Sequence, residues 1–353
     1  MSLHGGNIHK IYREKNIEVL DYSANINPLG VSKNLKKFIK KNIDKLVNYP
    51  DPNYDDLKNS ISKYINIPKE NLIVGNGATE IIFLTMRALQ PQKALIICPT
   101  FAEYERALEE VEASIDYFEL SNDRDKFFID INLLKKELEN NYDLVVFCNP
   151  NNPTGNFTSF NLFEEILKEN YSKTKFLVDE AFIDFIPKGE ELSFKNTFSK
   201  KLIIIRAFTK FFAIPGLRLG YGICFDKELI DKMHRIKEPW TLNYFASDCG
   251  EVLLNDEKYI RNSLKSLKSE KSYMLEKLSK MQNIKVYQSE TNFLLIKLYK
   301  ILGTELYEKL LAEGILIRRC ENFRFLDDSF IRIAIKNRKS NKKFIKSFKK
   351  IVN

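Results

Sequence analysis

Four short stretches of this 353-residue chain set chemically capable residues where a fold can present them. In VGNGATEIIFLTMRAL, Gly75, Asn76, Gly77, Ala78 and Thr79 lead straight into a helical pattern. Small residues there leave the N–H groups of a helix N-terminus open to an anion. In CNPNNPTG, Asn149, Asn151 and Asn152 crowd a turn made by Pro150 and Pro153, which taken alone is turn chemistry. In LVDEAFIDF, Asp179 and Glu180 close an apolar run, where a carboxylate either caps a turn or faces a buried cation. In RAFTKFFAIPGLRLGYGIC, Lys210 and Arg218 stand eight residues apart around a Pro-Gly turn.

One ligand accounts for all four. An imine-forming lysine, a carboxylate for a pyridinium nitrogen, a glycine-helix cradle with an arginine for a phosphate, and an asparagine for a phenolic oxygen make a pyridoxal phosphate site. The ring nitrogen needs an anion so that the ring accepts electrons, and the phosphate needs several donors.

The elements that must position these residues are legible as apolar runs. LIVG (72–75), ALIIC (94–98), IDYF (115–118), LVVFC (144–148), FLVD (176–179), LIIIR (202–206) and GYGIC (220–224) alternate with amphipathic stretches such as AEYERALEEV and FNLFEEILKEN. Near-continuous apolar strands separated by helices predict an α/β domain built on a mostly parallel sheet buried on both faces, with ligands beyond the carboxyl ends of its strands. After Pro239 the pattern changes to a long charged helical stretch (243–280). TNFLLIKL and FIRIAI follow as strands around a helix near 303–313, a smaller α+β domain. The division expected is an N-terminal segment (1–44) covering the active site, a large domain (45–242) and a small one (243–353). At the start, HGGNI follows one of three histidines with two glycines, and reads either as a mobile leader or as a terminus folded back onto the rest of the chain.

The net charge of +9 is concentrated in KNRKSNKKFIKSFKK, where Phe344, Ile345, Phe348, Ile351 and Val352 recur at helical spacing. This predicts an amphipathic helix with a solvated lysine face, not a nucleic-acid site. Five singly placed cysteines predict buried thiols in a reducing compartment, and three histidines without Cys or His partners give no metal site. Without an apolar run of membrane-spanning length or a signal pattern, no membrane partner and a cytoplasmic location are expected.

Over essentially its whole length the chain resembles the fold-type I pyridoxal phosphate enzymes of the aspartate aminotransferase superfamily. That resemblance implies Lys210 as the Schiff-base lysine, Asp179 at the ring nitrogen and Asn152 at the phenolic oxygen. It also implies Gly77, Ala78, Thr79, Thr209 and Arg218 around the cofactor phosphate, and Phe101 stacked on the ring. Tyr49 of NYPDP matches a tyrosine that reaches the cofactor of a neighbouring subunit, which implies a homodimer. DYSANINPLG with NYPDP resembles the histidinol-phosphate aminotransferase branch. HGGNI, PTFAEYERAL, DEAFIDFIP, EPWTLN and ILIRRCENF resemble the threonine-phosphate decarboxylases of cobalamin biosynthesis in particular. Phe182, where aminotransferases carry a tyrosine that donates to the phenolic oxygen, points the same way.

The resemblance further implies a small phosphorylated amino acid as substrate, with Arg332 at its carboxylate and Arg318 at its phosphate. His4, Gly5, Asn25 and Asn152 complete the substrate side. Two alternatives stand: an aminotransferase acting on histidinol phosphate, and a ligand-sensing regulator that keeps the fold without catalysis. The retained Lys210 argues against the second.

Overall fold

The computed structural model describes residues 4–168 and 173–352. Met1 to Leu3 and the last two residues of FNLFEEILKEN lie outside the described residues.

All seven apolar runs are strands of one sheet. Their spatial order is Leu72–Asn76, Leu219–Cys224, Leu202–Ala207, Lys175–Asp179, Leu144–Cys148, Lys93–Cys98 and Ser114–Glu119. Alternate residues feed two separate cores, which explains why the runs lack a polar face. Val145, Phe147, Phe176 and Val178 enter one core, whereas Leu144, Val146, Leu177 and Ile203 enter the other. The five strands from Leu202–Ala207 to Ser114–Glu119 are parallel to one another. Leu219–Cys224 is antiparallel to both of its neighbours. Only residues 208–218 join it to the preceding strand, too short a connection for a parallel crossover.

A second, antiparallel sheet orders Ile284–Val286, Phe293–Leu298, Phe330–Ala334 and Arg318–Arg319. The basic tail forms the helix Arg338–Val352, which buries Phe344, Phe348 and Val352 and turns its lysines outward. The stretch 243–280 is not one helix. It breaks into Tyr244–Asp248, Gly250–Leu254 and Glu257–Leu278. The Asp256 side chain accepts from the Tyr259 N–H and so caps a new start, which its own charge favours.

Three local features were not legible beforehand: the helix Ile8–Lys15, the hairpin Ser121–Asp123 with Lys126–Phe128, and the pairing of Leu20–Asp21 with Ile315–Leu316. The last matters most for the site. Tyr22 continues that pairing, with its N–H donating to Leu316 O at 2.7 Å and its carbonyl accepting from Ala334 N at 2.8 Å. Residues 20–22 are thereby stitched to the smaller sheet, and the turn that follows is delivered to the ends of the large sheet.

Candidate active site

A cavity of about 830 Å³ opens where the carboxyl ends of the large-sheet strands face the smaller sheet and the turn Ser23 to Ile26. Lys210, from the short helix Phe208–Phe211, lines it. Burial lowers the Lys210 amine to about 8, with Arg218 adding to the shift and Asp179 opposing it. Its Nζ lies 3.4 Å from Thr209 Oγ1. An amine titrating there is far more nucleophilic at neutral pH than an ordinary lysine.

Asp179 ends the strand Lys175–Asp179 and is almost wholly buried. Tyr104 Oη donates to its Oδ2 at 2.7 Å and the Ala181 N–H to its Oδ1 at 2.8 Å. No lysine or arginine among the described residues forms an ion pair with it. Burial raises its pKa, opposed first by the Tyr104 hydrogen bond. A buried carboxylate oriented by two donors and lacking a cationic partner suits a ligand that carries a protonated ring nitrogen. Glu180 points elsewhere: it accepts from Arg206 Nε, Ser193 Oγ and the Phe194 N–H.

Ala78 and Thr79 begin the helix Gly77–Leu89 at the cavity wall. Gly77 has φ +79°, and a Cβ there would fall 2.6 Å from Arg218 Nη2. The guanidinium therefore lies directly against the helix start, and no carboxylate among the described residues pairs with it. Open N–H groups beside a cation form an anion cradle. Phe101 lines the cavity with its ring 5.8 Å from that of Tyr104, edge to face. The amine, the lone buried carboxylate and the cradle together fit pyridoxal 5'-phosphate.

Of the three asparagines in CNPNNPTG, two build the turn. Asn149 bonds Thr158 through both ends of its amide, and Asn151 donates to Pro99 O and Thr154 Oγ1. Asn152 alone faces the cavity. Its Oδ1 accepts from Arg332 Nη1, which leaves the amide NH₂ as the end that donates. Phe182 packs edge to face on Phe293 and offers the cavity no polar atom.

The opposite wall carries the cations. Arg318 and Arg332 are direct cross-strand partners in the smaller sheet, and both are buried. Arg332 Nη2 donates to Ser23 O at 2.6 Å, and its buried Nε has no hydrogen-bond partner. Arg318 donates to Arg319 O and Asn322 Oδ1, and its guanidinium lies over Phe323. Burial lowers Arg332 to about 10 and pulls Arg318 down as well. Asn25 Oδ1 is likewise buried without a partner.

The N-terminal HGGNI stretch closes the cavity. The Gly6 N–H donates to Ser23 Oγ at 2.7 Å, and a Cβ on Gly5 would fall 2.1 Å from Ser23 O. His4 Nε2 is 2.7 Å from Glu103 Oε1, and the imidazole packs on Phe101. Arg106 Nη1 donates to both oxygens of the same glutamate. Tyr49 stands apart from this chain's cavity, 81 % exposed and packed on Trp240.

Tyr104, Glu103 and Arg106 escaped the sequence reading although they lie in the quoted PTFAEYERAL stretch. The apolar and aromatic positions Phe101 and Tyr104 flanking the start of the helix Glu103–Glu109 were the available signal.

This sheet, with a buried lysine and a buried carboxylate facing one cavity beyond its strand ends, defines a pyridoxal-phosphate enzyme of fold type I. The chain belongs to the aminotransferase class I and II family, whose model matches residues 17–348. It is 33 % identical over 355 residues to threonine-phosphate decarboxylase of Salmonella typhimurium, covering 99 % of this chain and 97 % of that one. It is 38 % identical over 341 residues to a Caldanaerobacter subterraneus protein named provisionally for the same activity, covering 96 % and 90 %. Among solved structures, one titled histidinol-phosphate aminotransferase from Clostridium acetobutylicum superposes with a TM-score of 0.89 at 40 % identity, covering 95 % of this chain and 99 % of that one. No helix among the described residues is long and apolar enough to cross a membrane.

Proposed function

We propose that this enzyme decarboxylates L-threonine O-3-phosphate to (R)-1-amino-2-propanol O-2-phosphate, a step of cobalamin biosynthesis. The observation that carries the reading is the pair Arg318 and Arg332. Like charges set directly opposite on adjacent strands are destabilising, and burial makes them more so. A substrate with an anion at each end offsets that cost. The Salmonella and Caldanaerobacter relatives carry the same activity in their names.

Pyridoxal 5'-phosphate supplies, when bound, an aldehyde for the substrate amine and a ring that takes up the electrons of a bond broken at Cα. Lys210 would hold the cofactor through its amine. Asp179, held by Tyr104 and Ala181, would keep a proton on the ring nitrogen. The helix start at Ala78 and Thr79, with Arg218 and Thr209, would hold the cofactor phosphate. Asn152 would donate to the phenolic oxygen, and Phe101 would cover the ring.

Arg332 takes the substrate carboxylate and Arg318 the substrate phosphate. Two fixed anchors orient the substituents at Cα, and that orientation would decide between losing carbon dioxide and losing a proton. Lys210, once released, returns a proton to Cα, a task its lowered pKa suits. His4 to Gly6 close the cavity and keep water from it.

A homodimer belongs to this reading. Val47 and Tyr49 are 86 % and 81 % exposed, and Ile43, Leu46 and Trp240 extend the same kind of surface. Apolar side chains this exposed mark a surface that a partner covers, and a second copy brings Tyr49 to the neighbouring site.

A second reading, amino transfer from histidinol phosphate, is favoured by the 40 % identity to the Clostridium structure so titled. Carbon dioxide release from L-threonine O-3-phosphate by the holoenzyme separates the two. Release that is abolished by Lys210→Ala is expected. No release, together with 2-oxoglutarate-dependent turnover of histidinol phosphate, would overturn the proposal.

A further inference from the structure

Lys336 lies just past the strand Phe330–Ala334 and lines the same cavity as Arg318 and Arg332. The sequence reading assigned it no role. Residues 332, 334 and 336 follow the two-residue alternation of an extended chain, so the lysine projects to the same side as Arg332. Arg318 stands opposite Arg332 on the adjoining strand. Three cations thus share one wall.

The contacts of Lys336 leave most of its bonding capacity unused. Among the described residues its Nζ donates to Ala24 O alone, at a long 3.3 Å, and no carboxylate lies within ion-pair distance. The nearest opposing charge is Asp21, which acts on it electrostatically and whose Oδ1 accepts from the Ser23 N–H, the Ser23 hydroxyl and the Ala24 N–H. Ala24 sits between Ser23, whose carbonyl receives Arg332, and Asn25, whose buried Oδ1 has no partner. An ammonium half-buried in such a place is costly unless a ligand supplies an anion. Burial accordingly lowers its pKa.

We infer that Lys336 is a substrate-binding residue whose ammonium takes the phosphate of the phosphorylated amino acid together with Arg318. The inference rests on the decarboxylase reading for its substrate, and on charge for its logic. A carboxylate is satisfied by the fork of one guanidinium, whereas a phosphate monoester carries close to two negative charges on three strong acceptors. L-Threonine O-3-phosphate therefore presents about three negative charges to a wall of three cations and the single carboxylate of Asp21. Lysine also suits the task geometrically: a point charge with three rotatable donors meets a tetrahedral anion without the planar constraint of arginine.

The test is a titration of the holoenzyme by the absorbance change that accompanies amino-acid binding, with L-threonine O-3-phosphate and L-threonine as separate probes. Lys336→Gln is expected to raise Kd for the phosphorylated ligand about tenfold to a hundredfold, the range of a lost charge-assisted bond. Kd for L-threonine and cofactor content per chain should stay as in the unmodified enzyme, and Lys336→Arg should recover most of the loss. Equal weakening toward both ligands, or no weakening toward either, would overturn the inference. If the unmodified enzyme binds L-threonine O-3-phosphate in a Lys336-dependent way yet releases no carbon dioxide, the proposed reaction falls and the binding role stands.

Discussion

At the scale of single residues, the contact that most shapes the chemistry is the hydroxyl of Tyr104 on Asp179, 2.7 Å away. Burial pushes the pKa of this carboxylate up, and the hydrogen bond is the largest influence opposing that rise. Removing it leaves the ionised form with the Ala181 N–H as its donor among the described residues, so Asp179 takes up a proton at higher pH than before. A protonated Asp179 no longer stabilises a charged ring nitrogen. Tyr104→Phe is therefore expected to lose pyridoxal 5'-phosphate about tenfold more readily at neutral pH, about 1.4 kcal/mol. As pH is lowered, its cofactor retention should also fall away sooner than that of the unmodified protein. Equilibrium dialysis of the cofactor between pH 5 and 8, spanning roughly the acid range of a raised carboxylate, checks both points. Superimposable retention curves would show that Tyr104 only fills space.

At the scale of elements, the strap formed by HGGNI depends on the absence of a side chain at Gly5. A Cβ there would meet Ser23 O at 2.1 Å, well inside contact distance and against backbone that cannot yield cheaply. Gly5→Ala should lift the strap from the turn at residues 23–25 while leaving the cofactor cradle around Gly77 intact. The expected outcome is about tenfold weaker binding of L-threonine O-3-phosphate, read by absorbance titration, with unchanged cofactor content. Unchanged substrate affinity would mean that the strap merely rests on the surface. The short connection 208–218 shows a related economy: by forcing the strand Leu219–Cys224 to run antiparallel, it brings Arg218 back beside the start of the helix Gly77–Leu89.

At the scale of the whole molecule, the exposed apolar surface around Val47, Tyr49 and Trp240 is the feature that one chain leaves unsatisfied. Sedimentation of the holoenzyme is expected to give twice the mass of one chain. Val47→Glu, which puts a charge into that surface, should shift the protein toward single chains and weaken cofactor retention, because Tyr49 then reaches no neighbouring site. A monomeric protein that retains its cofactor fully would overturn the dimeric reading. The basic tail has a different fate: its aromatic stripe is spent inside the fold, with Phe344 packed 4.7 Å from Tyr22, so its lysines are the solvated side of a packed helix.

What the sequence by itself determined follows from burial and from strand ends. Strands covered on both faces must be apolar at nearly every position, so the inner strands stood out as runs while the edge strand Ser114–Glu119 is only partly buried, and the polar residues that close the runs, Asp179 among them, stood out against that background. Lys210 and Arg218 were visible for the same reason. Direction and partnership were not, because they depend on residues distant in the chain. Only the tertiary structure decided that Asn152 faces the cavity while Asn149 and Asn151 hold the turn. It likewise decided that Glu180 belongs to Arg206 and not to the site, and that Lys336 joins two arginines on one wall. A side chain's type states what it can bond, but its partner is chosen by which surfaces the packed sheets and the returning N-terminal segment bring within about 3 Å of it.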